Sequence, residues 1–122
     1  MDEYLVNRVL TASPEQLHLM VVEGGLRHAR LAAAALADDD YERSHVALDE
    51  ARKHLSQLLT ALNPESTDEF VVNLRSLFKL AFRHFTLGDL DRDVERIEAG
   101  IAILAEHRET WRLVMQELTP AA

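Results

Sequence analysis

The sequence predicts an all-α protein, an antiparallel up-down-up-down four-helix bundle with an N-terminal cap segment, and three observations carry that prediction. Four stretches repeat apolar residues at intervals of three and four, the spacing of one face of a helix. Each is bounded by residues that start or stop helices, and the links between them are short enough to force antiparallel neighbours. The chain has 122 residues and no cysteine, so it is long enough to bury a core without disulfides or metal. One helical-bundle domain over 1–122 is expected, with 1–12 as the cap segment and 13–118 as the bundle.

The first helix has the plainest start. Ser13 reads as its N-cap, Pro14 at the first helical position has no N–H to leave unsatisfied, and Gln16 completes a capping box. From there to Ala37 the helix is apolar on more than one side. Leu17, Met20, Val21, Leu31 and Ala35 form the stripe assigned to the core, while Leu19, Val22, Leu26 and Ala29 fall elsewhere. Gly24 and Gly25 in mid-helix each cost about 1 kcal/mol relative to alanine, which points to close helix packing or to a shallow groove.

Asp38-Asp39-Asp40 forms an acidic turn whose last carboxylates suit the start of the second helix, where Leu48, Ala51, Leu55, Leu58 or Leu59, and Leu62 make an inward stripe. Asn63-Pro64 stops it. Thr67 reads as the cap of the third helix, with Phe70, Leu74, Leu77, Phe78, Ala81 and Phe85 as its core face and Gly88 as its end. The fourth helix, beginning at Asp89 or Asp91, carries the stripe Val94, Ile97, Ile101, Leu104, Arg108, Trp111, Met115 and Leu118. Arg108 on that stripe is expected to snorkel or to pair with a carboxylate.

A second set of apolar residues lies off these stripes: Leu19, Val22 and Leu26, then Leu80, Phe82 and Leu87, then Ile103, Leu113 and Val114. Such a surplus needs a cover, which can be a client protein, a second copy in a homodimer, or the N-terminal segment with Tyr4, Leu5, Val6, Val9 and Leu10.

Other functions are set aside on chemistry. Thirteen Lys and Arg against 21 Asp and Glu give a net charge of −8, which repels nucleic acid. The acidic Asp2 and Glu3 after Met1 do not read as a signal peptide, and no stretch is apolar enough for membrane insertion, so a cytoplasmic location is expected. Two Glu-x-x-His pairs, Glu15 with His18 and Glu42 with His45, have the spacing of a di-metal carboxylate site. They start helices that run in opposite directions, which separates them by about 30 Å at ~1.5 Å per residue. His28, His54, His84 and His107 read as isolated surface or core-edge histidines. No catalytic residue, metal site or cofactor is read, and the chain is not read as an enzyme.

The run V-L-T-A-S-P-E-Q-L-H-L-M from Val9 to Met20 resembles the opening signature of the FliS family of flagellar export chaperones. The segment from Asn73 to Phe85, the Asp89-Leu90-Asp91-Arg92-Asp93 turn and the closing His107-Arg108-Glu109-Thr110-Trp111 run are similar to later family segments in the same order. Departures are Val21-Val22-Glu23-Gly24 where the family reads L-Y-D-G, Phe78-Lys79-Leu80 in place of a tyrosine pair, and Arg83-His84-Phe85 in place of R-R-L. The resemblance implies a small cytoplasmic helical bundle without enzymatic activity. It also implies binding of the disordered C-terminal segment of flagellin, which is kept from polymerising before export. Export-gate or regulatory flagellar proteins would be further partners. On that reading Tyr4, Val6 and Leu10 belong to the cap, and Val22, Leu80, Phe82, Leu87, Ile103 and Val114 are assigned to the partner-binding surface.

Overall fold

The computed structural model describes residues 12–118, which form four α-helices: α1, Pro14–Ala37; α2, Tyr41–Ala61; α3, Glu69–Asp91; and α4, Val94–Leu118. Each helix packs on its sequence neighbours and α1 closes the ring against α4, the up-down-up-down order expected from the short links.

The starts of the helices follow from side chains that satisfy exposed N–H groups. Ser13 Oγ accepts from the Gln16 amide at 3.1 Å and Gln16 Oε1 accepts from the Ser13 amide at 2.8 Å, the full capping box. Asp40 caps α2 by accepting from the Arg43 amide. Asp68, one residue after Thr67, caps α3 by accepting from the amides of Phe70 and Val71. An aspartate one residue beyond Thr67 wins because its carboxylate also meets the positive end of the helix dipole.

The end of α3 differs from expectation. Gly88 does not stop the helix, which continues to Asp91 and ends at Arg92 in the left-handed conformation, with φ 50°. Gly88 is a packing residue instead: a Cβ there would lie 2.7 Å from Ile97 Cγ1 of α4. Asp93 then begins α4, its carboxylate accepting from the Glu95 amide at 3.0 Å. The Arg92 guanidinium rests 3.8 Å from the centroid of the Tyr41 ring and ties the α3–α4 turn to the start of α2.

The largest fully buried side chains are Val22 and Leu26 of α1, Leu48 and Leu55 of α2, Phe78 and Phe85 of α3, and Ile97 and Leu104 of α4. For α2 and most of α3 this is the predicted face. For α1 it is not: Val22 and Leu26 hold the core together with Ala29, Ala32 and Leu36, whereas Leu17 and Leu31 of the expected stripe are exposed. The alanines explain the exchange. A helix whose inward face is mostly alanine lies close to its partners, so small residues mark the buried side that a search for large ones misses. Gly24 and Gly25 belong to that side, and the His54 ring of α2 lies over Gly24, where a Cβ would come within 2.5 Å of Nε2. Close helix packing therefore accounts for both glycines.

Polar links fasten the outer turns. The half-buried Arg52 of α2 donates to Asp49 at 2.8 Å and to Asp89 of α3 at 2.9 Å, and Asp89 also meets His45 Nδ1 at 2.7 Å. Hydrogen bonding by Arg52 holds the Asp49 carboxyl below its ordinary range. Arg108 pairs with Glu109 at 3.3 Å as anticipated. Trp111 sits at the edge of the core, and its indole N–H donates to the Glu15 carbonyl at 2.9 Å, fixing α4 to the first turn of α1.

Candidate functional site

The surface that stands out is a groove between α3 and α4, a depression of about 260 Å³. Phe70, Asn73, Leu74 and Leu77 line it from α3, and Ile103, Glu106, His107 and Thr110 from α4. Leu74 and His107 are its buried floor, while Phe70 is 49% exposed and Leu77 44% exposed, a large outlay of apolar surface for two residues in a small bundle. Leu80, also 44% exposed, follows Leu77 at the i+3 position and extends the apolar strip along α3. Asn73, Glu106 and Thr110 supply polar groups among the apolar walls. This is the composition of a cleft for an amphipathic segment, with apolar area for affinity and polar groups for register.

The sequence-assigned residues divide against this geometry. Ile103 lines the groove and Leu80 lies on its exposed extension. Leu87 and Val114 are half-buried and are not among its lining residues. Phe82 packs against the core and borders a different hollow, with Asp49, Arg52 and Lys53 of α2. Val22 corrects the assignment outright: it is fully buried, so it has no surface with which to touch a partner. Leu26, grouped with it, is buried too. Tyr4, Val6 and Leu10 lie outside the described residues.

Phe70 and Leu77 are the groove residues that the helical stripe assigned to the core. On a helical projection they stand at the edge of the arc occupied by Leu74, Phe78, Ala81 and Phe85. That marginal position is the only signal of their exposure in the sequence.

Beneath the groove lies a feature without any signature in spacing. His107 of α4 and His18 of α1, 89 positions apart, bring their Nε2 atoms within 2.7 Å. The ring centroids are 5.1 Å apart, little more than the nitrogen separation plus two ring radii, so the rings meet nearly head-on. That is the geometry of an N–H···N hydrogen bond, one ring donating and the other accepting, rather than of two lone pairs converging on a metal. Phe78 stands edge-on to His107 with centroids 5.1 Å apart, and Trp111 packs on His18 at 4.4 Å. Among the described residues no group of three or more His, Cys, Asp and Glu is arranged to hold a metal ion.

The pair titrates accordingly. Burial lowers the His18 pKa, and burial followed by the charge of His18 pulls His107 from 6.5 to about 4. The folded state thus binds fewer protons than the unfolded chain, so stability rises with pH and is fully present above about 6.5; it is lost as pH falls from there toward 4. Discounted for solvent at the ring edges, the loss between pH 7 and pH 5 is about 1–2 kcal/mol. Urea unfolding at the two pH values checks this: His107→Phe is expected to flatten the difference, and an unchanged pH dependence in that variant would assign it to other groups.

No helix of the described residues is long and apolar enough to cross a membrane. Comparison with known proteins gives a consistent relationship. The family described as flagellar protein FliS matches residues 1–118. The flagellar secretion chaperone FliS of Bacillus subtilis (strain 168) is 27% identical over 113 residues, covering 93% of this chain and 84% of that protein. Its counterpart in Escherichia coli (strain K12) is 28% identical over 105 residues, covering 85% and 77%. A third, from Campylobacter jejuni subsp. jejuni, is 26% identical over 120 residues, covering 98% and 94%. Because the match runs through all four helices, from residue 1 to residue 118, the chain belongs to the FliS family of flagellar proteins.

Proposed function

We propose that this chain is a cytoplasmic secretion chaperone that holds the C-terminal segment of flagellin in the α3–α4 groove, prevents its premature polymerisation and delivers it for export. The observation that carries the reading is the open apolar groove with Phe70 and Leu77 exposed on one wall and Ile103 on the other. Three relatives bearing the name flagellar secretion chaperone support the class of client.

The mechanism follows from the physics of the client. A segment that is disordered as a monomer and helical in the filament has an apolar face that drives its own assembly. Laying that face into the groove occupies the polymerising surface. Ordering the client on binding costs several kcal/mol, which leaves a large interface readily released. In this role Phe70, Leu77 and Ile103 form the walls of the groove and Leu80 extends it, and Tyr4, Val6 and Leu10 act as a displaceable cap. Catalysis has no part in the function.

The test is calorimetric titration of the full chain with a peptide covering the C-terminal segment of flagellin from the same organism. Expected are one-to-one binding, a negative heat-capacity change and a gain in helicity, the signs of coupled folding on an apolar surface. Absence of both heat and helicity gain would remove flagellin as the client.

A further inference from the structure

The α1–α4 face carries a second surface, chemically opposite to the groove. Arg27, Arg30 and Leu31 share one side of α1 at the i, i+3, i+4 spacing, and with Glu23, Leu26 and Arg108 they line a depression of about 450 Å³. Leu26 is its buried floor, and Leu31 is an exposed apolar contact at its edge. Arg27 and Arg30 are exposed, and neither forms an ion pair among the described residues. Arg108 engages only the exposed Glu109, through Nε, which leaves its remaining guanidinium N–H groups available. Three guanidinium groups around one hollow are a local excess of positive charge on a chain whose net charge is −8.

We infer that this face docks an acidic amphipathic segment of a protein partner, with carboxylates on Arg27, Arg30 and Arg108 and an apolar side chain against the exposed Leu31. Charge complementarity selects the partner. Arginine forks suit carboxylates in bidentate pairs, and the exposed Leu31 rewards an apolar anchor between the acidic residues. Nucleic acid is disfavoured because Glu23 lies within the hollow and the rest of the surface repels a continuous phosphate backbone. The site is separate from the client groove: Arg108 leaves α4 on its α1 side, whereas Ile103, Glu106 and Thr110 line α4 on its α3 side. A chaperone with its groove filled therefore still presents this face.

The experiment is a titration of the full isotope-labelled chain with a designed helical peptide in which glutamates flank a leucine, followed by amide NMR shifts. The expected result is saturable shifts at Arg27, Arg30, Leu31 and Arg108, with at least tenfold weaker binding when salt rises from about 50 to about 300 mM. The Arg27→Glu/Arg30→Glu variant, and a peptide with glutamine for glutamate, should each lose the interaction. Both arginines are exposed, so circular dichroism of the variant should match the parent. Shifts confined to the α3–α4 groove, no saturable shifts, or unchanged binding after charge reversal would overturn the assignment. So would a single-stranded oligonucleotide that binds the same residues more tightly than the peptide.

Discussion

A Leu77→Asp variant is expected to fold with the helicity of the parent and, under the proposed function, to bind the flagellin C-terminal segment about 30- to 150-fold more weakly. Leu77 is 44% exposed on the groove wall, so its loss removes little from the core. In a complex the same position would be covered. Aspartate there forfeits apolar contact and buries a carboxylate without a partner, together worth about 2–3 kcal/mol at an interface centre. Leu80→Asp, one turn along α3, should cost less because it lies on the extension rather than among the lining residues. Calorimetric affinities for both variants, with thermal unfolding as the check on fold, read the gradient. Parent-like affinity in Leu77→Asp would move the client off the α3–α4 groove while leaving the family assignment intact.

Gly100→Val is expected to lower the stability of the bundle by about 3 kcal/mol. A Cβ at position 100 would lie 2.4 Å from Phe85 Cε1, and the Phe85 ring is fully buried, so it has no open space into which to turn. Overpacking of this kind costs about 1–3 kcal/mol, and the two valine methyls beyond Cβ add to it more than helix propensity returns. Chemical denaturation measures the loss. The mechanism makes a stricter demand: Phe85→Leu, destabilising by itself, should recover part of the stability when combined with Gly100→Val, because it vacates the space that the new side chain needs. Simple additivity of the two changes would show that the pair does not share that space.

Much of the framework was legible without coordinates. Ser13, Pro14 and Gln16 determine where α1 begins, because an orphaned helix terminus can be satisfied locally by residues three positions apart. Asn63-Pro64 ends α2 for an equally local reason, and the leucine stripe of α2 identifies its buried face. The short links then leave antiparallel packing as the available arrangement.

Tertiary structure decided the rest. The inward face of α1 is set by Ala29, Ala32 and Gly24, whose small size matters only once α2 and its His54 ring approach. Gly88 reads locally as a helix stop, yet the contact that explains it belongs to Ile97 on the next helix. Phe70 and Leu77 share an arc with core residues and become a groove wall because α4 leaves that edge uncovered. His18 and His107 meet across 89 positions, and Arg108 joins Arg27 and Arg30 across two helices. The sequence by itself determined the four helices, the caps of α1 and α2 and the order of packing, since those depend on neighbours within about one turn and on short links. Which apolar face is buried, which is left for a partner, and which distant polar groups meet depend on how closely the helices approach, and only the assembled bundle decides that.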